Sequence, residues 1–277
     1  MTTAAMYAKK REQWLAALPQ PPRTMEALTA NSLSSIQALE SLPIKHTPAN
    51  HHLFFSAVVH WLKKDHPLYA HWHEIQTTNW ANRPPPGAPT PLQTNKTTTQ
   101  EEINHALTRL PPGQPRLLLS LYTQMEPVRA DLFATEIVAH DAYPTEDNYV
   151  QLSDPLLAAA NNPPKLVLRD FKTSKRYTTI ERDLPPHIQS ELTSSLAIEP
   201  RRYLFVHGSP QRPYTRKEFS NWATRTLTAA LGRPMTLTAL RHLYISSLDF
   251  NRPIAELETI AHNMGHSIGM QKRYQWA

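Results

Sequence analysis

The chain has 277 residues with no cysteine, 26 prolines, only 6 glycines and a formal net charge of +6. The absent thiols exclude disulfides, thiolate nucleophiles, cysteine zinc sites and iron–sulfur clusters, and so few glycines argue against phosphate-loop and dinucleotide folds. No apolar run reaches the ~18 residues of a membrane span, Met1–Lys10 has no signal-peptide core, and the length suits two domains of about 150 residues, so a soluble intracellular protein is expected.

Charge is uneven along the chain. Residues 1–97 carry nine basic and five acidic side chains, 98–164 three and nine, 165–241 fourteen and six, and 242–277 three of each. A basic stretch of this kind attracts polyanions more strongly than the mean charge suggests. A merely solvated surface is the plainer reading of the same bias.

In chain order, Ser32–Leu42 and Ala49–Lys64 read as helices. In the second, Leu53, Phe54, Ala57, Val58, Trp61 and Leu62 recur at three- and four-residue spacing, the mark of an amphipathic helix. A helical domain over 1–81 follows. Its histidines are dense, and His71-Trp72-His73-Glu74 raises the question of a metal. No His-Glu-x-x-His pair or evident three-ligand shell supports one, so no metal is assigned. Lys63 and Lys64 suit phosphate contacts better. Residues 82–98 hold five prolines and no apolar periodicity, so they are read as extended linker.

Thr98–Glu102 is a helix start with acidic first-turn residues, continued by Ile103, Leu107 and Leu110. Leu117–Met125 is a second apolar helix. Leu166–Phe171 alternates loosely, Lys172–Lys175 is turn-like and Arg176–Leu184 is β-rich, which together predict a β-hairpin with a lysine-bearing tip. Helices are expected over Pro186–Leu196, Arg216–Leu231, Thr238–Asp249 and Ile254–Met264. The expected fold class is mainly α with a small β-sheet: a helical N-terminal domain, the linker, and an α+β domain over 99–277.

Four segments carry the chemistry. They are Glu126–Leu132 with Arg129 and Asp131, the hairpin lysines, Thr238-Ala239-Leu240-Arg241-His242, and Met264-Gly265-His266-Ser267 with Tyr274 eight residues beyond His266. Taken singly each is weak. Arg129 is an ordinary arginine after a helix, Tyr274 is one of ten tyrosines, and Lys172 has rivals in Lys175 and Lys165.

In this order and rough spacing the segments resemble the tyrosine recombinase family of phage-type integrases, across about 98–277. That family reads Arg, hairpin Lys, His-x-x-Arg-His, Gly-His-Ser and a nucleophilic Tyr. The Arg-x-Asp, Phe-Lys-Thr-Ser-Lys and Leu-Arg-His-Leu-Tyr-Ile-Ser stretches look closest to recombinases of large eukaryotic DNA viruses and related mobile elements. The resemblance implies a core-binding domain over 1–81 and a catalytic domain over 99–277. It implies Arg129, Lys172, Arg241, His242, His266 and Tyr274 as catalytic residues. Asp131, Lys175, Thr238, Lys63 and Lys64 would serve as substrate contacts.

The implied activity is cleavage and rejoining of double-stranded DNA through a 3′-phosphotyrosine, without metal or ATP. The implied setting is a homotetramer on DNA, in the nucleus or a viral replication compartment, with no membrane. Two guanidiniums can grip the nonbridging oxygens, and fixed positive charge stabilises the developing phosphorane. A phenol with pKa near 10 needs its proton removed to attack.

Two departures stand out. Thr238 replaces the family's first histidine, and threonine cannot exchange protons near neutral pH. Only Gln275-Trp276-Ala277 follow Tyr274, where many relatives have a further helix. A type IB topoisomerase shares the same residue set, and a DNA-binding relative with an impaired site is the non-enzymatic alternative. A two-metal nuclease is disfavoured, since no paired carboxylates suggest one.

Overall fold

The computed structural model describes residues 55–56, 59–60, 64, 69–81, 97–140, 147–153, 163–177 and 179–275, without the side chains of Asn79, Arg176, Arg273 and Tyr274. The chain divides into two compact units, Met1–Pro84 and Pro85–Ala277.

In the first unit the described helix is α1 (Tyr69–Ala81). It was not expected, because its apolar residues do not recur at helical spacing. Trp72 anchors it, fully buried, with its ring 6.1 Å from that of Phe55. Gln76 Nε2 donates to Ser56 Oγ at 3.1 Å. His71, His73 and Glu74 are exposed. Of the expected helix Ala49–Lys64, Phe55, Ser56, Val59 and His60 are described and helical. Ser32–Leu42, Trp61 and Lys63 lie outside the described residues.

The second unit is mainly α with small sheets. Its elements are α2 (Gln100–Arg109), α3 (Gln114–Thr123), a 3₁₀ turn (Ala130–Leu132), β1 (Glu136–Val138), β2 (Tyr149–Gln151), β3 (Lys165–Leu168), α4 (Ser174–Tyr177), β4 (Ile180–Asp183) and α5 (Pro186–Ile198). There follow β5 (Val206–His207), β6 (Arg212–Pro213), α6 (Arg216–Leu231), α7 (Leu237–Ser246), α8 (Ile254–Asn263) and α9 (Ile268–Tyr274). No described helix is long and apolar enough to cross a membrane.

Local chemistry sets the helix starts. Thr99 and Glu102 form a reciprocal capping box on α2, and Thr215 and Glu218 do the same on α6. Thr236 caps α7 by accepting from Ala239 N. α6 stops at Gly232, whose φ of 66° is the left-handed conformation glycine reaches without a Cβ clash. The central helix is α3, where six consecutive residues, Leu117–Tyr122, are buried. Helices α2, α5, α6 and α7 pack around it, and Phe205, Phe219 and Leu227 continue the same core.

The sheet order is β1-β2-β3-β4, with β1 parallel to β2 and the other pairs antiparallel. The expected hairpin is present as β3–β4, with Leu166 opposite Arg182. Two features correct the expectation. The second strand begins at Ile180 instead of Arg176, because Ser174–Tyr177 forms a helical turn in which Tyr177 N bonds Thr173 O at 3.1 Å. The hairpin also belongs to a four-stranded sheet, and β5–β6 forms a separate pair. Helix ends differ from expectation by one to three residues, the ordinary consequence of fraying and capping.

Candidate active site

The loop after α3 presents Arg129, and buried cations clamp it from both sides. Arg182 donates through Nη1 to Glu126 O at 2.7 Å and lies 3.3 Å from the Glu126 carboxylate. Arg241, 1% exposed on α7, donates to Pro127 O at 2.5 Å. Tyr122 hydroxyl donates to Arg129 O at 2.5 Å, and burial drives its phenol pKa far above the ordinary value.

The segment after α8 is joined to this loop through one peptide. Gly265 O accepts from Arg129 Nη1 at 3.2 Å and from Thr173 Oγ1 at 2.7 Å. The residue has φ 68°, and a Cβ there would lie 3.4 Å from Phe171 Cδ2. Glycine therefore serves the left-handed backbone, whereas the hairpin would meet a Cβ there at ordinary van der Waals distance. Arg241 also donates to Met264 O from Nη1 and Nη2, at 3.2 and 3.3 Å. Its Nη2 lies 3.3 Å from His266 Nδ1. Guanidinium only donates, so this contact uses the Nδ1 lone pair and puts the imidazole proton on Nε2. Burial, then the charges of Arg241 and Arg129, push the His266 pKa down to about 3. The ring is neutral at pH 7.

Asn148 sets the hairpin root. Its Nδ2 donates to Asp131 O at 3.0 Å and Asp170 O at 2.8 Å, and its Oδ1 accepts from the backbone N–H of Arg169 and Asp170, both at 2.8 Å. All four hydrogen-bonding positions of the amide are used, which fixes the chain two residues before Lys172.

These supports shape a cleft of about 760 Å³ walled by Arg129, Lys172, Thr238 and Arg241, which come from three separate segments, the last two sharing α7. His266 stands behind Arg241, buried at 3% exposure. Tyr274 ends α9, which packs against α7 and α8; its side chain lies outside the description. His242 is half-buried on α7, and Lys175 is exposed on α4, neither of them on the cleft wall. Asp131 is buried, with its carboxylate 2.6 Å from Arg216 Nη1. Lys64 is exposed in the first unit, and Lys63 lies outside the described residues.

The remaining wall was not anticipated from the sequence. Its polar part consists of Arg216, Lys217, Ser220, Asn221 and Thr224 on one face of α6, with Thr236 before α7. One available signal was the pair Arg216-Lys217 in the first turn of a helix, where the dipole disfavours cations. Among the described residues no group of three or more His, Asp or Glu side chains could hold a metal ion.

No protein-family model matches the chain, and no curated protein matches it. Among solved structures it is similar to a crystal structure of XerA recombinase, at 15% identity and a TM-score of 0.46, over 99% of this chain and 94% of that one.

Proposed function

We propose that the protein is a site-specific DNA recombinase or integrase that cuts and rejoins duplex strands through a covalent 3′-phosphotyrosine. The observation that carries this reading is the convergence of Arg129, Lys172, Thr238 and Arg241 on one cleft, with neutral His266 against Arg241. A ring of fixed cations and hydrogen-bond donors suits a phosphorane, whose charge grows in the transition state.

In the proposed step the Tyr274 phenolic oxygen attacks phosphorus, losing its proton, and the bond to the 5′-oxygen breaks. Arg129 and Arg241 bind the nonbridging oxygens, Thr238 donates to the same group, His266 supports Arg241 from behind, and Lys172 protonates the departing 5′-oxygen. Thr238 has no accessible neutral-pH proton exchange, so the phenol proton passes to solvent water. The phosphotyrosine conserves the bond energy, and the reverse attack by a 5′-hydroxyl reseals the strand without a nucleotide. The homotetramer, the viral or mobile-element setting and the nuclear or viral-compartment location belong to this proposal through the sequence resemblance.

The test is a suicide duplex, nicked so that the cleaved fragment diffuses away, incubated with the chain and resolved by denaturing electrophoresis. A covalent adduct is expected, with the linked peptide containing Tyr274. Tyr274→Phe should bind the duplex and form no adduct; an adduct persisting in that variant overturns the nucleophile assignment.

A further inference from the structure

We infer that Arg216 is a third guanidinium of the cleft, held by buried Asp131 to grip a DNA backbone phosphate beside the reacting one. The inference rests on the DNA-cleavage reading and adds a binding residue and its positioning partner to it.

Four observations carry it. Arg216 lines the same cleft as Arg129, Lys172 and Arg241. Its Nη1 donates to Asp131 Oδ1 at 2.6 Å, and the Asp131 side chain is only 3% exposed. Asp131 lies two residues after Arg129 in the 3₁₀ turn, and Asn148 holds its carbonyl at 3.0 Å. The carboxylate therefore sets Arg216 in register with Arg129. The guanidinium carbon of Arg216 also lies 5.0 Å from the centre of the Phe133 ring, a cation–π contact that adds a second anchor to the group.

This anchoring does not exhaust the group. Arg216 is 43% exposed at its side chain, and Nε and Nη2 make no hydrogen bond among the described residues. A guanidinium has five donors, so most remain for a phosphate. A pre-set fork loses less freedom on binding than a swinging lysine. Arg216 also opens α6, where its charge opposes the helix dipole. Thr215 and Glu218 already cap that helix, so its start has no need of the arginine.

The rival is a purely structural ion pair tying the 3₁₀ turn to α6. Fluorescence anisotropy of a labelled duplex, titrated with the full chain between 50 and 200 mM salt, separates the two. Each phosphate contact contributes about one to the slope of log K against log salt. Arg216→Ala is expected to shallow that slope by about one and to weaken binding roughly tenfold at 100 mM salt. Arg216→Lys should restore the slope, with affinity short of wild type.

Asp131→Asn removes a negative charge, so bulk electrostatics alone would tighten binding. Loss of positioning weakens it instead, by several-fold, with no further weakening in the Arg216→Ala background. Thermal melts accompany each variant. If Arg216→Ala fails to fold, Arg216→Gln, whose amide can still donate to Asp131, takes its place with the same slope expected. An unchanged slope at position 216, or tighter binding by Asp131→Asn, overturns the inference. With wild-type adduct scored in parallel, binding and adduct with an unchanged Arg216→Ala slope removes this inference alone. A wild type that binds no duplex removes both readings.

Discussion

Arg241 and Arg129 differ in what surrounds them, and their variants should differ accordingly. Arg241 is almost fully buried and donates to two backbone carbonyls, Pro127 O and Met264 O. Deleting it strips both carbonyls of a charged donor in a water-excluded site. Hydrogen bonds to charged groups contribute ~1.5–3 kcal/mol each, so loss of the two makes Arg241→Ala lower the unfolding free energy by about 3–6 kcal/mol. Arg129 is half-buried, and its Nη1 bond goes to Gly265 O, which Thr173 also serves. Arg129→Ala should lower stability by no more than about 1 kcal/mol. Both variants should lose ~10²-fold or more in adduct formation, as expected for removing a transition-state donor. Urea unfolding beside single-turnover kinetics gives the contrast. Equal stability losses in the two variants would contradict the distinction.

At the scale of elements, strong local codes were legible. Arg216–Leu231 is helical over the range read from its sequence, because a capping box opens it and Gly232 closes it. The β3–β4 hairpin was visible from its alternation and the following prolines. Strands β1 and β2 were not, because three residues give too little alternation to distinguish strand from loop. Helix α1 was missed because Trp72 alone carries much of its burial. The linear motif order named Arg129, Lys172, Thr238 and Arg241, but it carried no information on distance. The pairing of Asp131 with Arg216 spans 85 residues, and the fourfold use of Asn148 joins three segments. Neither leaves a mark in sequence spacing. Helix α9 shows a further feature of this kind. Gln271 is fully buried, and among the described residues neither its Oε1 nor its Nε2 has a hydrogen-bond partner. An unpaired buried amide costs ~1–3 kcal/mol. Gln271→Met, close in volume and apolar, should therefore raise the melting temperature by roughly 2–12 °C for a unit of this size. A lower melting temperature would mean that the amide stabilises α9 where it sits.

At the scale of the whole second unit, a layer of buried ionisable groups lies under the cleft, and it ties folding to pH. His266 is the member that titrates near neutrality when exposed. Its pKa is about 6.5 in an unfolded chain and about 3 in the fold. Burial among Arg241 and Arg129 causes the depression, since a charged imidazole there would be desolvated and repelled. Between pH 6.5 and 3 the unfolded chain binds a proton that the folded chain does not. Stability from this group is complete above pH 6.5, falls with decreasing pH across that interval, and levels off below it. The limiting slope is about 1.4 kcal/mol per pH unit. Carboxylates near 4 and the other histidines titrate as well, so the contribution has to be read as a difference. His266→Gln keeps a neutral hydrogen-bonding side chain that cannot take up the proton. Between pH 6.5 and pH 5, where carboxylates change little, wild type should lose roughly 1.6 kcal/mol more than His266→Gln. Urea unfolding of both chains at pH 7, 6.5, 5.5 and 5 measures this, with the wild-type midpoint moving down against the variant's. Parallel curves would mean that His266 takes up its proton as readily in the fold as outside it. Uptake of that proton would occupy the Nδ1 lone pair and break the contact with Arg241 Nη2 on which the neutral-ring reading of the site rests.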